Sequence, residues 1–191
     1  MNSGTSKQEL RKSIRARLKL LSEAKHALAS QGARDLLEKQ GTWKQAKTIL
    51  FYAPLPGELD IWPLFQDAMQ AGKETCLPRF TGQKPHPYTA CAIKDLAKDL
   101  KTGQFSIREP VDGALEIPLN RLDFVLVPGI AFDLQGRRLG RGKGYYDRLL
   151  AEVHGKTCGV AFDEQIVEVL PVEPHDIHVN CILTPTRWIE L

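Results

Sequence analysis

Residues 124–127 read Phe-Val-Leu-Val between Asp123 and Pro128, with no polar residue among them. A strand with one wet face alternates apolar and polar side chains, so an unbroken apolar run implies cover on both faces. Cover on both faces means helices on either side of a sheet, which is the architecture of parallel α/β folds. Other short β-type runs, at residues 48–52, 74–77, 88–93, 157–161 and 181–183 with a weaker one at 105–108, alternate with helical patterns at 62–71 and 145–153. The expected fold is therefore α/β: a single domain over residues 1–191, with a mainly parallel sheet flanked by helices.

The first 40 residues add an N-terminal helical segment expected to pack on that domain. Leu10, Ile14, Leu18 and Leu21 recur at spacings of four, four and three, which predicts an amphipathic helix over 5–21. Lys7, Arg11 and Arg15 form a neighbouring stripe, spaced to present charge to one place. Ser22 is placed to break and cap, and a second helix follows over 23–40.

The chain has 191 residues, 26 Lys and Arg against 23 Asp and Glu, and a formal net charge of +3. That excludes a disordered chain and a protein built to coat a polyanion. The charge is unevenly spread: residues 1–50 hold 11 basic and 4 acidic residues. Residues 134–148 then concentrate Arg137, Arg138, Arg141, Lys143 and Arg148 against the single acid Asp147. Two cationic segments on a nearly neutral chain suit a compact anion better than a nucleic acid, and the N-terminal one lacks aromatics for stacking bases. A solvated basic helix face is the alternative for that segment. No run approaches ~20 apolar residues, so no membrane span is expected. The opening MNSGTSKQELRKSIR lacks an apolar signal core, and Cys76, Cys91, Cys158 and Cys181 form no C-x-x-C pair. Reduced buried thiols and a cytoplasmic location are expected.

The chemistry concentrates where the 124–127 strand ends. The chain continues Gly129-Ile-Ala-Phe-Asp133 and then Leu139-Gly-Arg-Gly-Lys-Gly-Tyr-Tyr-Asp147 into a helical pattern. Ligands of open α/β sheets sit at carboxyl ends of strands, where this loop falls. Gly140, Gly142 and Gly144 let backbone N–H groups approach phosphate oxygens, Arg141 and Lys143 add full charges, and the following helix start adds partial ones. A Walker loop is excluded because Gly144 follows Lys143 where a hydroxyl is needed, and neither glycine frame completes a dinucleotide fingerprint, although Asp163 lies near the distance of a ribose acid. Any Mg²⁺ on bound phosphates must then use carboxylates elsewhere, of which Asp147 is nearest and Asp176 a second. The pentapeptides at 129–133 and 159–163 echo one another, as two strand ends on one sheet edge would.

The 139–147 motif, preceded by 128–133, resembles the signature of the 5-formyltetrahydrofolate cyclo-ligase family, also called methenyltetrahydrofolate synthetases. The likeness covers most of the chain: residues 7–11, 57–60, Leu77-Pro-Arg79, Gly159-Val-Ala-Phe with Gln165, Leu170-Pro, and His175-Asp176 follow in the family's order. Asn180 stands where an aspartate is usual and Pro185 where an acid is usual. The resemblance implies an ATP- and Mg²⁺-dependent closure of 5-formyltetrahydrofolate to 5,10-methenyltetrahydrofolate, releasing ADP and phosphate. It implies that Lys7, Arg11, Arg138, Leu139, Gly140, Arg141, Gly142, Lys143, Gly144, Tyr145 and Tyr146 hold ATP, with Arg141 and Lys143 compensating charge during transfer. Asp147 and Asp176 would hold the metal, and Glu58 with Tyr145 the folate.

Several readings stay open at this level. Tyr145 and Tyr146 suit either a ligand ring or the core, and Arg79 either the site or a carboxylate partner. Arg137, Arg138 and Arg148 suit either the anion or solvent, Trp43, Trp62 and Trp188 suit the core, and His175 with His178, three apart, suits a polar loop better than a transition-metal pair. A sugar-phosphate isomerase or CoA-transferase relative and a non-catalytic folate or nucleotide regulator are the rival functions. The expected partners are ATP and the folate, with no nucleic acid or membrane, and the expected state is a monomer.

Overall fold

A computed structural model describes residues 6–82, 88–103, 107–142, 144–171, 173 and 176–191. Its centre is the apolar run, which forms β7 (Phe124–Pro128). Phe124 and Leu126 face one apolar cluster while Val125 and Val127 face another, so both sides of the strand are covered as its composition requires. Asp123, just before β7, accepts hydrogen bonds from the Lys47 and Thr48 N–H groups at 2.8 and 2.9 Å, fastening β7 to β1 (Thr48–Leu50) at their amino ends.

The eight-stranded sheet grows outward in two directions from that pair. On one side lie β2 (Glu74–Phe80), β3 (Tyr88–Ala92) and β6 (Glu116–Ile117); on the other lie β10 (Lys156–Val160), β12 (Cys181–Leu183) and β13 (Trp188–Glu190). The five strands β2, β1, β7, β10 and β12 run parallel, β3 and β13 run antiparallel to their neighbours at the two sides, and β6 pairs antiparallel with β3 at one edge. Strand order therefore reverses between β1 and β7, and their carboxyl ends open a crevice that no crossover connection fills.

One face of the sheet is covered by α2 (Glu23–Leu37), α3 (Gly41–Gln45) and α4 (Trp62–Gln70) through Leu37, Trp43, Leu64 and Phe65. Ser22 caps α2 as expected, its hydroxyl accepting from the Lys25 N–H at 3.3 Å. The other face is covered by α5 (Tyr145–Leu150) through Leu149 and Leu150. Trp62 and Trp188 lie partly buried against the core, and all four cysteines are free and buried, with burial pushing the Cys76 thiol up to about 12.

The remaining strands form two small sheets. β8 (Ala131–Asp133) and β9 (Arg138–Leu139) make a hairpin that β11 (Ile166–Val167) joins, and α1 (Lys7–Leu18) packs Ile14 against Ile130, Ala131, Leu139 and Leu170 of this group. The capping of α1 by Ser6 and Glu9 is reciprocal: the Ser6 N–H donates to Glu9 Oε2 at 2.8 Å, and the Glu9 N–H to the Ser6 hydroxyl at 3.2 Å. β4 (Leu100–Thr102) and β5 (Arg108–Pro110) form a separate hairpin.

Several boundaries differ from the sequence expectation: α1 ends at Leu18 rather than 21, α2 at Leu37 rather than 40, and β1 at Leu50 rather than 52, and three further elements differ as well. β2 runs on through Pro78, because it outlasts β1 at Leu50 and pairs beyond that point only with β3, where one missing N–H is tolerated. The expected helix over 145–153 is regular only to Leu150, since Glu152 and Val153 donate three residues back rather than four. The strand expected at 105–108 begins at Arg108; residues 105 and 106 lie outside the described part.

The echo between residues 129–133 and 159–163 has a packing cause. Phe132 is fully buried between Gly129 and Gly159, where a Cβ would lie 2.6 Å and 2.5 Å from its ring atoms. Only glycine leaves room for that ring at both positions. Gly159→Ala should therefore destabilise the fold by about 1–3 kcal/mol through overpacking; a urea midpoint equal to that of the parent would show that the ring has space to move. An aromatic disulfide reagent should titrate no thiols in the native protein at pH 8 and four after unfolding.

Candidate functional site

Two loops meet over the β1–β7 crevice. The first leaves β1 and turns through Ala53-Pro-Leu-Pro-Gly57, Gly57 having φ +86°. The turn closes on itself: the Glu58 N–H donates to the Leu55 carbonyl at 2.9 Å, and the Leu55 N–H donates to Glu58 Oε2 at 3.0 Å. Buried Tyr52 donates its hydroxyl to the Leu59 carbonyl at 3.2 Å. Glu58 is thus a carboxylate on a rigid turn, with a side chain only 12% exposed.

The second loop leaves β7 and is built by buried Asp133. Its Oδ1 accepts from the Gln135 and Arg137 N–H groups at 3.0 and 3.1 Å, and its Oδ2 accepts from the Leu170 N–H at 2.9 Å. These bonds shape the β8–β9 turn, with Gly136 at φ +79°, and aim the chain back toward the sheet edge. Gly142 at φ +100° and Gly144 at φ +60° then carry the glycine loop through backbone states that L side chains rarely adopt.

Arg138 stands under this loop, its side chain 4% exposed, and its Nη2 donates to Asp147 Oδ1 at 2.7 Å. The guanidinium lies 5.6 Å from the Tyr146 ring centroid. A Cβ on Gly140 would come within 2.7 Å of Arg138 Nη1, so this glycine is what lets the loop cross the guanidinium. Buried Nε atoms of both Arg137 and Arg138 have no hydrogen-bond partner among the described residues. Arg137 is half-buried and paired with Asp133 at 3.6 Å, whereas Arg138 is a buried cation beneath Gly140, where an orphaned donor is costly and suits a site that receives an anion.

Helix α1 supplies the third side. Arg11 Nε donates to the Gly140 carbonyl at 3.0 Å, and Lys7 Nζ bridges Glu173 and Asp176 at 2.9 and 3.0 Å. Burial pulls the Lys7 ammonium down, but the bonds to Glu173 and Asp176 outweigh it and hold it above its ordinary range. Arg15, the third member of the stripe, points to solvent.

The two tyrosines divide. Tyr146 is partly buried against the core, where burial and the nearby Glu58 carboxylate push its phenol well up. Tyr145 joins Phe80 and Tyr88 in an aromatic group, with centroids 5.6 and 5.4 Å away, and Arg148 lies 5.3 Å over its ring. Phe80 remains 42% exposed, so this group is an open wall beside the crevice. Leu139 contributes its backbone only, since its side chain is buried with Ile14.

The loops are joined where Arg141 Nη2 donates to Glu58 Oε1 at 2.7 Å, linking residues that are 83 apart in sequence. Lys143 lies outside the described residues, as does His175. Asp147 is held by Arg138 and Asp176 by Lys7, and no group of three or more His, Cys, Asp or Glu gathers for a metal among the described residues. Arg79 pairs with Glu116, and Asp163 accepts from Thr184, Thr186 and Arg187 at 2.7, 2.9 and 3.2 Å, so the ribose-acid reading of Asp163 has no support. Asn180 accepts from the Thr157 N–H at 2.8 Å at the amino end of β10, on the edge opposite the site. The short length of α5, six residues, leaves little helix dipole there, so full charges dominate.

Tyr52, Leu55, Phe80, Tyr88 and Glu173 were not singled out from sequence. Tyr52 and Leu55 act within the turn that carries Glu58, whereas Phe80, Tyr88 and Glu173 enter through pairing across strands or loops.

Comparison with known proteins agrees across the chain. The model of the 5-formyltetrahydrofolate cyclo-ligase family matches residues 3–185. A 5-formyltetrahydrofolate cyclo-ligase of Escherichia coli K12 is 35% identical over 182 residues, covering 91% of this chain and 97% of the relative. The mouse 5-formyltetrahydrofolate cyclo-ligase is 30% identical, covering 94% and 93%. The solved structure of Aquifex aeolicus 5,10-methenyltetrahydrofolate synthetase superposes with a TM-score of 0.86 at 36% identity, covering 96% of this chain and 92% of that one.

The Arg138–Asp147 pair yields a direct test. Asp147→Ala strands a buried guanidinium and should cost about 3 kcal/mol of folding stability; a loss below about 1 kcal/mol in urea unfolding would show that the pair is not structural.

Proposed function

The chain belongs to the 5-formyltetrahydrofolate cyclo-ligase family, and from that premise we propose how its residues carry out the ATP-dependent conversion of 5-formyltetrahydrofolate to 5,10-methenyltetrahydrofolate. The observation that carries the reading is the meeting of Arg141, on the glycine loop, with Glu58, on the β1 loop. A nucleotide on one loop and a folate on the other would have their reacting ends within reach.

The triphosphate rests on the glycine loop. Backbone N–H groups around Gly140, Gly142 and Gly144 approach its oxygens, Arg141 and Lys143 supply charge, and Lys7, Arg11, Tyr145 and Tyr146 bound the cradle. Arg138, with its orphaned Nε and its place beneath Gly140, supports the anion from below. Asp147 and Asp176 are hard oxygen donors of the number Mg²⁺ usually takes alongside phosphate oxygens and water, so the residues fit that ion. Held there, Mg²⁺ would supply positive charge to offset the negative charge that builds on the phosphate during transfer.

Glu58, fixed by the Leu55 N–H, orients the pterin, and the Tyr145, Phe80 and Tyr88 wall accepts an aromatic portion of the folate. A formamide oxygen leaves poorly by itself. The formyl oxygen takes the γ-phosphoryl group as ADP departs, N10 attacks the activated carbon and loses its proton, and phosphate leaves. Such a transfer needs alignment and charge compensation more than a protein nucleophile.

Formation of the near-ultraviolet band of methenyl-folate should require ATP and a divalent cation together. Lys143→Ala should lower kcat/KM by about 10²-fold or more, and Arg141→Lys should not be neutral because a point charge replaces a planar fork. Glu58→Gln should chiefly raise the folate KM. Folate binding with no band under any condition would overturn the catalytic reading.

A further inference from the structure

Arg141 is claimed twice. As the charged residue between Gly140 and Gly142 it is placed for phosphate, yet its Nη2 lies on Glu58 Oε1. The two ends of the pair are unlike: the Arg141 side chain is 51% exposed, whereas that of Glu58 is 12% exposed and held at Oε2 by the Leu55 N–H. Arg141 sits on a glycine-flanked loop, while Glu58 sits on a closed turn. If the pair opens, Arg141 is the partner that moves.

Opening it changes Glu58 more than Arg141. A half-exposed guanidinium recovers water at once, whereas a nearly buried carboxylate near the phenols of buried Tyr52 and half-buried Tyr146 loses its cation without full hydration. It then gains most from any N–H donor presented to it.

We propose that the Arg141–Glu58 ion pair couples the nucleotide and folate sites, so that a triphosphate drawing Arg141 away frees Glu58 for the pterin and each ligand tightens the binding of the other. This rests on the functional reading above, in which the glycine loop takes ATP and Glu58 takes the folate. Without nucleotide, the pterin must compete with Arg141 for the carboxylate. Without folate, the triphosphate must compete with Glu58 for the guanidinium. Because coupling free energy is reciprocal, the two effects must be equal in size.

Calorimetry with 5-formyltetrahydrofolate and a non-hydrolysable ATP analogue plus Mg²⁺ measures this directly. In the parent protein each ligand should lower the Kd of the other by about fivefold, the low end of common couplings. Glu58→Gln should bind the analogue about fivefold more tightly than the parent, because it removes the competitor for Arg141; loss of a merely structural bond would not tighten binding. Arg141→Met, at saturating analogue, should leave the folate Kd unchanged by nucleotide. Both ligands binding the parent independently, or Glu58→Gln binding the analogue more weakly, would overturn the coupling while leaving the functional reading intact. An analogue or folate that does not bind the folded parent at all would overturn both.

Discussion

The reversal of strand order between β1 and β7 is the constraint on which the rest depends. Parallel strands are joined by crossovers that cover the sheet faces, so neighbours added in one direction have their loops led away to that side. Here β2 lies on one side of the central pair and β10 and β12 on the other. The loops after β1 and β7 are therefore carried apart at their far ends and left adjacent at their roots. Glu58 and Arg141 face one another because of this topology.

Much of the polar chemistry under the site is support. Asp133 shapes a turn, Gln165 donates to the Gly129 and Ile130 carbonyls at 2.8 and 3.0 Å, and Asp147 neutralises Arg138. A glycine-rich loop alone would sample many conformations and lose that freedom on binding an anion. Anchoring it from beneath by buried hydrogen bonds, and from the side by Arg11 on α1, removes part of that cost beforehand. The orphaned Nε of Arg138 is the reverse, a donor kept unsatisfied beneath the loop where an anion is expected.

The fold was legible wherever a local pattern carried it. Double burial of β7 follows from four apolar residues in a row, and α1 from a spacing of four that the packing of Ile14 uses. Less legible were short elements whose reason lies elsewhere. Two-residue strands such as β9 and β11 have no period to detect; they exist because the Asp133 turn and its bond to Leu170 bring them together. The continuation of β2 through Pro78 was hidden for a similar reason, since proline reads as a stop unless one knows that β1 has already ended.

From the linear chain alone came the α/β class, the family likeness, and the expectation that residues 139–147 and a short roster of charged residues receive an anion. Those depend on residue type and near spacing, which the backbone converts into local structure with little help. What the tertiary structure decided was partnership: that Tyr146 goes inward while Tyr145 joins Phe80, that Arg138 is buried against Asp147, that Asn180 sits on the far edge, and that Arg141 rests on Glu58. Side chains tens of residues apart carry no record of one another in sequence, and only the order of strands in the sheet sets which of them come within hydrogen-bond reach.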